Sequence, residues 1–162
     1  MPALVEAIEK TTDYVRTRYV EAVAAIGPAA AAAEPVLRGL MGNEEEPFQR
    51  LAAATALFRI GLPSKDLLPV VVEAARSGAP GLRRFAITCL GQFGAEAAGA
   101  TGLMAEALQD PEVVVRACAA EALGRIGPPA VDAVPALQAA CSDGDRRVQS
   151  LAASALRKIR GE

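Results

Sequence analysis

The chain contains no histidine and no tryptophan, and its aromatics stop at two Tyr and four Phe. Without histidine there are no Ser-His triads, no imidazole general bases and none of the usual catalytic zinc or His-ligated iron centres. The three cysteines, Cys89, Cys118 and Cys141, include no Cys-x-x-Cys pair. An odd, scattered count argues against a disulfide framework or a thiolate metal site. Each falls where a helix would carry Ala or Leu, so each is expected to be a small buried hydrophobe, in a reducing compartment. The opening MPALVEAIEK places acids where a secretory leader needs an apolar core. No unbroken apolar run approaches the ~20 residues of a membrane span. No Gly-rich phosphate loop follows a strand-like segment. These absences lead to the expectation of a non-enzymatic chain with no cofactor, no metal and no membrane contact, located in the cytoplasm.

What is present is alanine. Of 162 residues, 52% are hydrophobic and 36 are Ala, the composition of close-packed helix on helix. Arginine is the dominant cation, 14 against three Lys, within a net charge of −2. Such a charge marks no polyanion binder by overall field.

The apolar residues recur with a long period. Val115-Arg116, Ala119-Ala120, Leu123-Gly124 and Ile126-Gly127 return 33 residues earlier as Leu82-Arg83, Ala86-Ile87, Leu90-Gly91 and Phe93-Gly94. A further 33 back stand Gln49-Arg50, Ala53-Ala54, Leu57 and Ile60-Gly61; 33 forward stand Val148, Ala152-Ala153, Leu156 and Ile159. The first copy, offset by 34, is Val15-Arg16, Val20, Val23 and Ile26-Gly27. In step with these, Pro2, Pro35, Pro69, Gly102 and Pro135 each precede an apolar segment. Lys10, Asn43, Ser77, Asp110 and Asp143 close it eight residues on. Each copy reads as two helices, with Gly as the stop of the second. The expected pairs are 2–10 with 13–26, 29–42 with 46–60, 64–76 with 79–93, 96–109 with 112–126, and 129–141 with 145–160. No strand is expected.

The segment DPEVVVRACAAEALGRIGPPAVDAVPALQAACSD, Asp110 to Asp143, carries the most specific pattern: Pro, Asp eight residues later, Arg six further. On these residues the chain resembles a HEAT-repeat protein, close to the bacterial branch named after the phycobilisome lyase subunits. The resemblance implies an all-α fold, an α-solenoid (superhelix) of five two-helix repeats with about ten helices. It would form one domain over 1–162, with repeats near 1–27, 28–61, 62–94, 95–127 and 128–162. In that family the second helices line the concave side, and a ladder of turn Asp and helix Arg ties repeats together. Most such arrays serve as binding scaffolds. The HEAT-like iron hydroxylases need His-Glu pairs, absent here, and the HEAT-like DNA glycosylases use aromatic and acidic residues not recognisable in this chain.

Charge is unevenly spread. The five expected second helices hold 13 basic and 6 acidic residues, a net +7, against −9 elsewhere. The candidate binding residues are Arg16, Arg50, Arg59, Arg83, Arg84, Arg116 and Arg125 of that layer. Tyr14 and Phe48 share one repeat column and serve either as anchors or as packing under a turn. Arg116 has Asp110 and Asp143 within reach and is expected to be structural, whereas Arg50 and Arg83 face Asn43 and Ser77. The last helix puts Arg157 and Arg160 at the repeat positions of Gly124 and Gly127, which reads as a charged end cap. The expected partner is a protein or peptide, acidic in character, held on the concave Arg-rich surface. Two further readings are nucleic-acid backbone binding through the same residues and an accessory or chaperone role resembling bilin lyase subunits.

Overall fold

The computed structural model describes residues 2–162; the side chains of Asp13 and Tyr14, and with them the Tyr14 expectation, lie outside the described residues. Every regular element among them is helical. The ten α-helices are α1 (Pro2–Lys10), α2 (Asp13–Ile26), α3 (Glu34–Met41), α4 (Pro47–Arg59), α5 (Leu68–Ala75), α6 (Pro80–Phe93), α7 (Thr101–Ala107), α8 (Val113–Ile126), α9 (Val134–Ala140) and α10 (Arg146–Arg160).

Even-numbered helices are the second helices of the repeats and match their expected spans. Four of the first helices are shorter than expected because the chain tightens first. Gly27–Ala33, Gly94–Ala100 and Pro128–Ala133 are 3₁₀ segments that run into α3, α7 and α9, and a short one, Ser64–Asp66, precedes α5. Pro35 and Pro135 then occupy the first turn of α3 and α9, where a missing N–H costs nothing. Gly102 stands in for Pro in α7 and the same break persists, so the break belongs to the repeat rather than to proline alone. Gly27, Gly94 and Gly127 end the preceding second helices at φ of 70°, 55° and 73°, a region an L side chain enters only with strain.

The chain divides into two compact units, Met1–Val71 and Val72–Glu162, with the boundary inside α5. In the first, α1 packs on α2, α3 on α4, and α2 on α4, around Ile8, Val20, Val23, Leu37, Leu51 and Leu57. In the second, α6, α8 and α10 pack in succession, with α7 against α8 and α9 against α10. Ile87, Leu90, Met104, Leu123 and Leu137 are fully buried there.

Small residues set the spacing of α6, α8 and α10. A Cβ placed on Gly91 would meet the Ala122 Cα at 3.0 Å, and one on Gly124 would meet the Ala155 Cα at 3.1 Å. Neighbouring backbones thus approach to a distance only Gly against Ala permits.

The segment Val15–Met41 is apolar enough, with mean hydropathy 1.4, to meet a composition test for a membrane span. Gly27 breaks it into α2, a 3₁₀ turn and α3. The longest described α-helix, α10, has 15 residues, short of the ~20 that a span requires.

Two expectations about burial are corrected. Cys89 is buried, but Cys118 and Cys141 are only half-buried. Cys118 lies toward the open seam between α6 and α8, beside Thr88 and Glu121, rather than beneath it. Val15 and Ile26 occupy columns that are core in other repeats, yet they are 51% and 45% exposed.

Candidate functional site

The arginine ladder is built from turn chemistry. At the polar position that closes the first helix of the second to fifth repeats, a short side chain accepts the backbone N–H two residues on. Asn43 Oδ1 takes the N–H of Glu45 at 3.1 Å, Ser77 Oγ that of Ala79 at 3.1 Å, Asp110 Oδ1 that of Glu112 at 2.9 Å, and Asp143 Oδ1 that of Asp145 at 2.8 Å. A carboxylate has further acceptor capacity after that bond. Asp110 spends it on Arg83, whose Nε and Nη2 donate at 2.8 and 3.0 Å. Asp143 receives Arg116 in the same two-pronged manner at 2.8 and 3.1 Å. The remaining Nη1 of each arginine donates to its own turn: Arg83 to the carbonyls of Ser77 and Gly78, Arg116 to those of Asp110 and Pro111. Each rung therefore joins the arginine of one repeat to the aspartate of the next.

These pairs sit under cover, with side-chain exposures of 17% and 8% for Arg83 and Asp110, and 17% and 11% for Arg116 and Asp143. Burial pushes the Asp110 carboxyl up. The hydrogen bonds from Arg83 and the Glu112 amide, with the charges of Arg83 and Arg116, outweigh it and hold the group below the usual carboxylate range. Asp143 is lowered chiefly by the bond from Arg116, then by the Asp145 amide, against a smaller effect of burial.

The expectation that Arg83 lacks an acid is thereby corrected. Ser77, in its own repeat, supplies a carbonyl, while the acid comes from one repeat further along. Arg116 is structural as expected, with Asp143 giving the carboxylate and Asp110 a carbonyl. Arg16 meets no aspartate among the described side chains. It donates through Nε to the Ile8 carbonyl at 3.0 Å and through Nη1 to Gln49 Oε1 at 3.2 Å. Gln49, at a column held by Val or Leu elsewhere, is 3% exposed and takes the acid's place. In the fifth repeat Gln149 stands for Arg and donates to the Asp143 carbonyl. Arg50 donates through Nε to the Met41 carbonyl at 3.0 Å, and its Nη atoms make no hydrogen bond among the described residues.

The exposed candidates form a different set. Arg59 and Arg84 are exposed and make no side-chain ion pair among the described residues. Arg125 is exposed and pairs with Glu121 one turn back at 2.7 Å. Phe48 is 47% exposed at the start of α4. In the second unit the stem of Arg125 lies over Gly91 of α6, with Cδ 3.5 Å from where a Cβ would stand. Lys158 lies in the same way over Gly124 of α8, at 3.6 Å. Helices α8 and α10 thus each present a charged head above the seam on which its stem packs, and exposed Gln92 holds the same repeat column on α6. Arg84 and Arg147 add charge near the other end of the same helices. Lys158 reads in the sequence as part of the basic cap with Arg157 and Arg160, and the 33-residue column 92, 125, 158 is the signal that places it and Gln92 with Arg125; no column marks Arg147.

A family model described as HEAT repeats matches residues 100–162. That match spans the C-terminal part of the chain. Among solved structures, a chain in the complex of CpcE and CpcF of phycocyanin lyase from Nostoc sp. PCC7120 is similar with a TM-score of 0.70 and 23% identity, covering 100% of this chain and 66% of that one. An engineered protein is similar at TM-score 0.69 and 22% identity, covering 98% of this chain and 78% of that one. A designed armadillo repeat protein in complex with the peptide (KR)4 gives 0.69 and 18%, covering 96% and 80%. No curated protein matches the chain in sequence. The expected all-α, α-solenoid fold class is the fold of this chain, shared with these HEAT- and armadillo-like repeat structures.

Proposed function

We propose that this HEAT-repeat chain is a non-enzymatic interaction module of the cytoplasm that holds an acidic segment of a protein or peptide partner on the exposed face of its second helices. The observation that carries the reading is the row on α6, α8 and α10. Arg84, Arg125, Arg147 and Lys158 stand exposed on these helices, while the ladder arginines of α6 and α8, Arg83 and Arg116, are already neutralised. Arginine suits paired contacts with carboxylates, and long stems anchored over Gly91 and Gly124 place the charged heads without ordering them from scratch. Arg59 and Arg50 offer comparable donors in the first unit. Arg16, Arg83 and Arg116 support the surface from within and contact no partner directly.

Fluorescence anisotropy of a labelled Asp-Glu octapeptide tests it. Binding is expected at low salt, weaker at physiological salt as exposed charge contacts are screened, and lost in Arg84→Glu/Lys158→Glu with helicity unchanged. Glu106→Gln on α7 serves as a neutral control. Tighter capture of a single-stranded oligonucleotide would favour phosphate recognition instead. Peptide affinity that ignores both salt and the double substitution would move the site to the acidic first helices. A coloured complex on mixing with a free bilin would support the lyase-like accessory reading.

A further inference from the structure

The seams that join α6 to α8 and α8 to α10 are copies of one another. At the first, a Cβ on Gly91 would stand 3.0 Å from the Ala122 Cα and 3.5 Å from Cδ of Arg125. At the second, a Cβ on Gly124 would stand 3.1 Å from the Ala155 Cα and 3.6 Å from Cδ of Lys158. Arg125 and Lys158 therefore rise from equivalent points one repeat apart, and exposed Gln92 holds the same column on α6. The contact also sets the step between these points. A Cα–Cβ bond of about 1.5 Å added to the 3.0 Å approach keeps the Gly and Ala Cα atoms within about 4.5 Å of each other. Each Cα lies about 2.3 Å from its helix axis, so the axes at this level are no more than about 9 Å apart, and the row repeats at about 8–9 Å. Its charge is almost all of one sign. Glu121 is the one acidic residue within the spans of α6, α8 and α10, and it is paired with Arg125 at 2.7 Å.

Resting on the acidic-partner reading above, we propose that the partner presents its carboxylates from every third residue of a polyproline II segment that runs across α6, α8 and α10. In that conformation three residues make one turn and advance about 9.3 Å, so residues i and i+3 share a face at the step of the row. A β-strand returns to one face every second residue, about 6.7 Å on. Over the two steps from α6 to α10 it falls about 4 Å short, farther than a hydrogen bond reaches. An α-helix returns to one face after seven residues, about 10.5 Å, and overshoots by as much. The polyproline II excess over the same two steps is about 2 Å, within the swing of an Arg or Lys stem. Backbone chemistry agrees. Every regular element among the described residues is helical, so a strand would find no sheet edge to pair with. A polyproline II segment keeps its backbone solvated and arrives already ordered. Glu121 shows the contact in miniature: it is a carboxylate held on the row by Arg125, with side chains 41% and 47% exposed. An exposed pair of this kind contributes little, so the partner's acid displaces Glu121 at small cost.

Fluorescence anisotropy at low salt tests it, with labelled peptides of equal length that carry equal numbers of Asp in a polyproline background, set two, three or four residues apart. The three-apart peptide is expected to bind the parent chain about threefold tighter than the other two. Gln92→Arg supplies a cation at the α6 position of the row. It should raise the affinity of the three-apart peptide by about fivefold, the upper worth of one exposed charge contact, and move the others by less than about twofold. Lys158→Gln should level all three. Both residues are exposed, so circular dichroism should not change. Equal affinities in the parent chain, or a Gln92→Arg gain shared by all three peptides, overturn the register and leave the acidic-partner reading standing. A two-apart preference overturns it in favour of an extended strand. If none of the three binds while the Asp-Glu octapeptide does, the register fails alone. If that octapeptide also fails to bind, both readings fall.

Discussion

Leu90, Leu123 and Leu156 occupy one repeat column on α6, α8 and α10, and truncating them in turn measures how stacking distributes stability. Leu90 and Leu123 are fully buried and Leu156 is 8% exposed. Replacing Leu by Ala removes three carbons, about 2.4 kcal/mol of transfer free energy at roughly 0.8 kcal/mol per methylene. At Leu90 the surroundings are held by close backbone contact, Gly91 against Ala122, so the site collapses little. A cavity penalty adds to the transfer loss, and the total is expected in the upper part of the ~2–5 kcal/mol range for buried leucines. Leu156 has no further second helix beyond it in the chain, and neighbouring side chains and water can fill the space. Its loss is expected near the transfer value alone, about 2 kcal/mol. Urea melts followed by circular dichroism read the difference, with an unchanged slope showing that the denatured state is not the cause. Leu123→Ala should behave as Leu90→Ala. Equal losses at Leu90 and Leu156 would refute the reasoning, because they would mean that packing onto the next repeat contributes nothing measurable.

Gly91→Ala should destabilise, since overpacking at 3.0 Å from the Ala122 backbone costs about 1–3 kcal/mol against a helix-propensity gain of about 1. Gly102→Ala on α7, exposed with nothing within 4 Å, should stabilise by about 0.5–1 kcal/mol. Thermal melts should rank Gly102→Ala above the parent and Gly91→Ala below it. Asp110 and Asp143 are held below the ordinary carboxylate range when folded, so the unfolded chain takes up their protons first as pH falls. Their contribution is present above about pH 4 and lost as pH drops through the lower folded values. Asp143→Asn should be less stable at neutral pH and show a flatter acid limb in melts from pH 6 to 2. With a thiol reagent, Cys118 and Cys141 should label in the folded state while Cys89 stays protected until denaturant is added.

The period was legible because each repeat must bury the same stripe, so Leu57, Leu90 and Leu123 cannot drift without loss of core. The ladder was only half legible. A repeat alignment shows which residues share a column, but not that the fork of Arg83 reaches forward to Asp110 while only its Nη1 turns back to Ser77. The polar column misleads for the same reason: Asn43 and Ser77 keep the turn bond that Asp110 and Asp143 also make, and only the carboxylates have capacity left for a rung. Half-burial of Cys118 was beyond column reasoning, since an Ala-like position in an Ala-rich helix is found on both the packed seam and its open edge. The exposure of Val15 and Ile26 was equally beyond it: their columns are buried on α4, α8 and α10, where another second helix packs along them, and an alignment does not show which copies are covered. Arg157 takes the column of Gly91 and Gly124, and Arg160 that of Gly94 and Gly127, so a seam and a helix end built on glycine in α6 and α8 are charged in α10. Ile26 and Lys158 lie in different compact units, so substitutions at the two should add independently in stability and in binding.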